Sequence, residues 1–170
     1  MSLLVIEQIL NGLQLGVTLF LLAAGLTLIF GIMGIINLAH GSLYMIGAYA
    51  GALAASSTGS FLLAVPAGLL AAAIAGVAVE YLVVRRLYER DHLDQVLATY
   101  GLVLFFNETV SLVFGRQPLF VAIPQFLAGS IEIVPGVAFS VYRLAIIVVG
   151  LAVALGLYIL IQHTRLGMLI

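Results

Sequence analysis

The sequence predicts an all-α integral membrane protein with about five transmembrane helices, the second of them broken near Asn37–Ser42. Three observations carry this. Of 170 residues, 64% are hydrophobic and only 8% charged, and the mean hydropathy is +1.29. A soluble domain carries about 25% charged residues, so this chain has too few polar groups to clothe a globule. The apolar residues fall into runs long enough to cross a hydrocarbon core of about 30 Å, separated by short polar turns. One such run is interrupted by Gly31-Ile-Met-Gly-Ile-Ile-Asn-Leu-Ala-His-Gly-Ser42, which holds an amide, an imidazole, a hydroxyl and three glycines.

Composition also excludes function classes. The net charge is −1 and every basic side chain other than histidine is an arginine, so there is no basic face for nucleic acid. Without cysteine there is no disulfide, thiolate metal site or cysteine nucleophile. The N-terminus lacks a basic n-region and a small-residue cleavage site, and reads as a retained span rather than a removed signal peptide.

The first span is expected from about Ile9 to Phe30, with Gly12 and Gly16 spaced to admit a neighbouring helix. The second is expected from Ile32 to Ser56. Its uninterrupted part, Leu43 to about Ser57, covers roughly 24 Å at 1.5 Å per residue, too little to cross alone. The span must therefore start upstream and carry Asn37-Leu-Ala-His-Gly41 inside the bilayer. Polar backbone at that depth is tolerated only where protein or a water-filled cavity surrounds it. Gly47 and Gly51 give the rest of this span a second small-residue pair.

A third span, Phe61 to Val84, repeats Ala64, Gly68, Ala72 and Gly76 every four residues, a stripe suited to tight helix contact. Glu80 continues that register, either to pair with Arg85 or Arg86 at the interface or to take part in transport. Arg85 to Gln95 is the most charged loop, and its three arginines place it in the cytoplasm. The fourth span, Val96 to Gly115, carries Asn107 and Glu108 past its midpoint. A carboxylate at that depth should face the bundle interior or reach the interface, as Arg116 does. Ser130–Val134 and Val137–Tyr142 alternate weakly around Pro135-Gly136, the pattern of a small hairpin. The fifth span runs from Arg143 to Gln162, and His163-Thr164-Arg165 returns to the cytoplasm. An outside N-terminus then leaves Arg85, Arg86, Arg90 and Arg165 inside, with Arg116 and Arg143 outside.

Enzyme chemistry finds little footing. The three histidines lie in separate segments without metal-ligand spacing. The Gly25–Gly34 stretch lacks the lysine of a phosphate loop. No metal, catalytic group or directly bound cofactor is expected, and energy for transport would have to come from a partner or an ion gradient. The Asn37–Ser42 cluster has a physical reason to matter. A helix restarting near Asn37 or His40 presents free N–H groups and the positive end of its dipole, which attract a carboxylate or dipolar solute. Asn37 or Ser42 could equally be a simple N-cap.

At these residues a family becomes recognisable. Gly25-Leu-Thr-Leu-Ile-Phe-Gly-Ile-Met-Gly-Ile-Ile-Asn-Leu-Ala-His-Gly-Ser-Leu-Tyr-Met-Ile-Gly-Ala-Tyr49 closely resembles the permease subunits of branched-chain amino acid ABC importers, the high-affinity leucine/isoleucine/valine type. More distantly it resembles sugar permeases with a Gly-Ile-Asp-Leu-Ser-Val-Gly-Ser version of the element. Leu97-Ala-Thr-Tyr-Gly-Leu-Val-Leu-Phe-Phe-Asn-Glu108 is similar to the family's fourth-span pattern, and Thr164-Arg-Leu-Gly167 to its entry into the cytoplasmic coupling segment.

The resemblance implies a multi-pass permease of the bacterial inner membrane, with residues 1–170 forming the N-terminal part of one longer transmembrane domain. It implies a second permease subunit, two cytoplasmic ATPases that use ATP, and a periplasmic amino-acid-binding protein. Carried over by position, Asn37, His40, Gly41 and Ser42 would lie at the broken span on the translocation path, with Asn107 and Glu108 as further candidates. Gly41 would be a close-packed point of its gate. Arg165 and Gly167 would begin the surface that meets the ATPase.

Other classes fit less of the sequence. Asn37-Leu38-Ala39 at a half-helix start looks superficially like the Asn-Pro-Ala element of aquaporin-type channels, but no second copy and no mid-span arginine are present. An intramembrane enzyme with His40 as base needs a nucleophile or metal at matching depth. Close relatives that carry urea or short amides remain an alternative within the leading class.

Overall fold

The computed structural model describes residues 2–117, 119–134 and 137–163. Five long helices follow one another: α1 (Ser2–Met33), α2 (His40–Thr58), α3 (Phe61–Leu82), α4 (His92–Phe114) and α5 (Val141–His163). A 3-10 turn at Val84–Arg86 follows α3, another spans Gln125–Leu127, and a hairpin of β1 (Ser130–Val134) and β2 (Val137–Ser140) precedes α5. The expected five-helix architecture is thus present. Four helices have the length and apolarity to cross a membrane: Leu4–Ile32, Phe61–Arg86, His92–Phe114 and Val141–His163. The remaining helix, α2, would be about 28 Å long at 1.5 Å per residue, but His40, Ser42 and Ser56-Ser57-Thr58 dilute its apolar run.

The chain divides into two compact units, residues 1–32 with 123–170 and residues 33–122. In the first, α1 and α5 meet where the Val17 side chain fills the space that a Cβ on Gly150 would need. Val17 and Ile147 are buried there. A Cβ on Gly12 or Gly16 would meet nothing within 4 Å. Arg143 donates a hydrogen bond to the Asn11 side-chain oxygen. The hairpin is antiparallel, pairing Ser130 with Ser140 and Ile131 with Phe139, and its register shifts between Glu132 and Val134. Its second strand ends at Ser140, short of the expected Tyr142, because Val141 already opens α5.

In the second unit, α2 and α3 pack backbone to backbone. A Cβ on Gly68 would lie 2.7 Å from the Gly47 carbonyl oxygen, and one on Gly51 3.1 Å from that of Ala64. Contact this close requires residues without side chains, and it replaces hydrophobic driving force, which lipid does not supply, by van der Waals packing. Gly76 stands further off, 3.7 Å from the Leu43 side chain. The turn between the two helices closes on Gly59, in the left-handed conformation at φ +66°. Ile35, Val79 and Val84 form the buried apolar cluster, with Leu43, Leu87, Leu102 and Phe106 packed around it.

Gly68→Ala therefore drives a methyl group into the Gly47 carbonyl and should destabilise the chain by about 1–3 kcal/mol. Gly76→Ala has room and should be near neutral. Thermal unfolding of the two variants in one detergent checks the contrast, and equal midpoints would rule out the backbone contact.

Candidate functional site

The break between α1 and α2 is built residue by residue. Gly34 adopts φ +66° and ends α1, a conformation that costs glycine little and other residues more. Ile35 then turns into the apolar cluster and is 2% exposed. The Asn37 side-chain oxygen accepts the Ala39 N–H at 3.0 Å, and the Asn37 carbonyl accepts the His40 N–H at 3.3 Å. This Asx turn lets the chain reverse before the helix restarts at His40. Ala39 is the residue preceding α2, and no side chain caps that helix. Asn37 thus serves the turn before the helix, while Ser42 lies buried inside its first turn.

The break is held from α4. Thr99, fully buried, directs its hydroxyl at the Ile36 carbonyl at 3.4 Å, and it also lies 2.8 Å from the Gln95 carbonyl within its own helix. Thr99 stands two turns into α4, about 10 Å from that helix's start at 1.5 Å per residue. The break therefore sits level with the end of α3, where Val79 and Val84 touch Ile35.

Within this pocket of structure one atom stands out. His40 Nδ1 is buried and has no hydrogen-bond partner among the described residues. Buried polar atoms are nearly always satisfied, so one left open points to a water, solute or further protein group. Gly41, one residue on, is exposed, and a Cβ there would meet nothing within 4 Å. The close packing expected at Gly41 is found instead at Gly47, two turns along α2.

Asn107 and Glu108 are not brought to the break. They lie about 12 Å further along α4 than Thr99, and both are exposed. The packed face of that helix is Gln95, Thr99, Phe106 and Val110, from which Glu108 is turned almost halfway round the helix. Tyr49 of α2 and Phe114 close this helix pair with ring centroids 4.8 Å apart. Arg165 and Gly167 lie outside the described residues. No group of three or more potential metal ligands occurs among the described residues.

Glu80 takes the Tyr88 hydroxyl as its partner, donated at 2.6 Å, in place of the expected arginine. That hydrogen bond, aided by partial burial, raises the Tyr88 pKa to about 12, so the phenol stays a donor at any physiological pH. Two site residues escaped the sequence reading. Gln95, 3% exposed, donates to the carbonyls of Leu87 and Arg90 at 3.2 and 3.0 Å, and so closes the loop that leads into α4. Thr99 is the other. A polar side chain at each of the first two turns of an otherwise apolar span is the signal that could have found them.

The family model for the permease component of branched-chain amino acid transport systems matches residues 8–170. The chain belongs to that family. It is 33% identical to the high-affinity branched-chain amino acid transport system permease protein BraD of Pseudomonas aeruginosa over 175 residues, an alignment covering 95% of this chain and 56% of the relative. The permease protein LivH of the same kind of system is 33% identical in Salmonella typhimurium and 31% in Escherichia coli, with the same coverage. The chain thus spans about half the length of the curated relatives it matches. No solved structure matches it. The family match spans residues of both units.

Asn37→Ala removes the acceptor for the buried Ala39 N–H and should cost about 1–3 kcal/mol, the penalty for a buried unsatisfied donor. Asn37→Ser keeps an uncharged acceptor that forms the same kind of turn more weakly, and should recover part of it. Thermal midpoints of the two variants compare the effects; an alanine variant as stable as the unaltered chain would mean that the Asx turn does not hold the break.

Proposed function

We propose that this chain is a permease subunit of an ATP-driven importer that moves branched-chain or related amino acids across the bacterial inner membrane. The observation that carries the reading is the broken span. A helix restarts at His40 with no side-chain cap, beside an imidazole nitrogen that lacks a partner, in a family of permease components. The His40 and Ser42 amides are already held by the carbonyls of Asn37 and Ala39. The positive end of the helix dipole still attracts a carboxylate, and in a discontinuous helix it is suited to the carboxylate end of an amino acid. In this reading Asn37 and Ser42 shape the turn, His40 and Gly41 border the path, and Asn107 and Glu108 line it nearer the outer side.

The chain binds no cofactor itself. ATP is used by cytoplasmic ATPases, which meet a surface beginning at Arg165 and Gly167. A second permease completes the pathway, and a periplasmic binding protein delivers the substrate. Residues 1–170 act in one transmembrane domain. ATP-driven closure rocks the permease pair about small-residue contacts such as Gly47–Gly68, and the break opens and closes a low-affinity cavity. Urea and short amides are the other substrates that such a path would carry, with selectivity residing mainly in the binding protein.

The test is uptake of labelled leucine, with urea alongside, in cells lacking their own branched-chain importer. The chain is expressed there with the transport genes that neighbour its own. Leucine uptake that requires ATP, with an ATPase and a second permease co-purifying, is expected. His40→Leu should lower uptake on the order of tenfold with the complex still assembled, the equivalent of one lost interaction of about 1.4 kcal/mol. Uptake without an ATPase, or a chain that assembles only with itself, would overturn the importer in favour of a passive channel.

A further inference from the structure

At the end of α3 an amphipathic trough opens on the surface of the second unit, with a volume of about 610 Å³. Ala73, Gly76 and Val77 form its apolar floor, and Glu80, Arg85 and Tyr88 its polar end. Positions 73, 76, 77 and 80 recur at helical spacing, so the floor runs along the membrane-crossing part of α3 and the charges stand at its cytoplasmic limit. The small residues at 73 and 76 make the floor shallow rather than ridged. At the polar end the geometry is fixed. Tyr88 donates to Glu80 at 2.6 Å, and the Arg85 guanidinium lies 6.0 Å over the Tyr81 ring.

Glu80 and Arg85 therefore line one end of the trough together, the carboxylate engaged by Tyr88 and the guanidinium set over Tyr81, at the end of a helix long and apolar enough to cross a membrane. We propose that this trough binds a phospholipid with a zwitterionic, primary-amine headgroup, its phosphate on Arg85 and its ammonium on Glu80, with an acyl chain along Ala73, Gly76 and Val77. Charge complementarity selects this occupant. Guanidinium matches phosphate with several donors in a planar fork. The Glu80 carboxylate, one oxygen held by Tyr88, accepts from an ammonium and repels the net charge of an anionic lipid. A quaternary ammonium would carry no N–H to donate to it. The site is independent of which solute the permease carries, since it needs only that α3 spans a membrane.

Native mass spectrometry of the purified chain, offered phosphatidylethanolamine, phosphatidylcholine and phosphatidylglycerol at equal ratios, tests the proposal. Retention should follow that order, with the first held about fivefold over the last, the factor that corresponds to one interfacial charge. Glu80→Gln should erase the advantage of phosphatidylethanolamine over phosphatidylglycerol. Arg85→Gln should lower retention of all three about fivefold. The ranking in the unaltered chain requires no variant to fold. Phosphatidylglycerol held as well as or better than phosphatidylethanolamine, a ranking unchanged by Glu80→Gln, or a purified importer complex in which this face retains no lipid because protein covers it, would each overturn the proposal.

Discussion

A chain that leaves helical geometry while buried strands backbone groups that must find partners in the protein, and much of the second unit answers that constraint. Between Met33 and His40 the chain leaves helical geometry and must find partners for its amides and carbonyls. Asn37 supplies an acceptor to Ala39, Thr99 reaches toward the Ile36 carbonyl from α4, and Ile35 anchors the segment in apolar surroundings. The first of these contacts lies within the break, the second comes from α4 and the third from the end of α3. The break is consequently not a local accident of glycine content but a structure that three elements hold open, and α2 and α4 are positioned by it.

The α2–α3 pair supplies the rigidity that such a break requires. In water the apolar faces of two helices associate because water rejects them, whereas in lipid that force is missing and contact distance decides. The approach of Gly68 to the Gly47 carbonyl is a contact that no larger residue permits. It fixes the middle of α2 against α3, and through that helix the direction in which its start at His40 points. Backbone contact here and polar satisfaction at the break are thus two parts of one arrangement.

The sequence made the architecture legible to the extent that hydropathy governs it. Five helices and the hairpin are readable from runs and alternation, though of the five expected spans four, without α2, are long and apolar enough to cross a membrane. The break is readable from its polar residues. Limits appeared where a residue had two uses. A threonine in a helix commonly bonds to its own preceding turn, as Thr99 does with Gln95, and nothing in its spacing tells that it also faces Ile36. Gly12 and Gly16 have the spacing of a packing motif, yet in α1 the close contact falls at Val17, opposite Gly150. Spacing shows which residues share a face, and not which neighbour that face meets. Glu80 was expected to choose an arginine by charge, but a chain turn after Arg86 brought a phenol nearer.

The polar groups of the second unit are distributed at two depths, and that separation bears on how a permease of this family works. One set surrounds the break near the C-terminal end of α3. The other, Asn107 and Glu108, lies beyond it along α4 on a face that α2 and the apolar cluster leave uncovered. A carboxylate at the centre of a bilayer costs about 2.5–3.5 kcal/mol on insertion scales. Lipid is therefore the least favourable neighbour for that face, and protein or a water-filled passage the favourable one. The same conclusion follows from the helices as a whole, since between 6% and 17% of each apolar span window is buried within the chain. Apolar faces can be left to lipid; the face of Glu108 cannot.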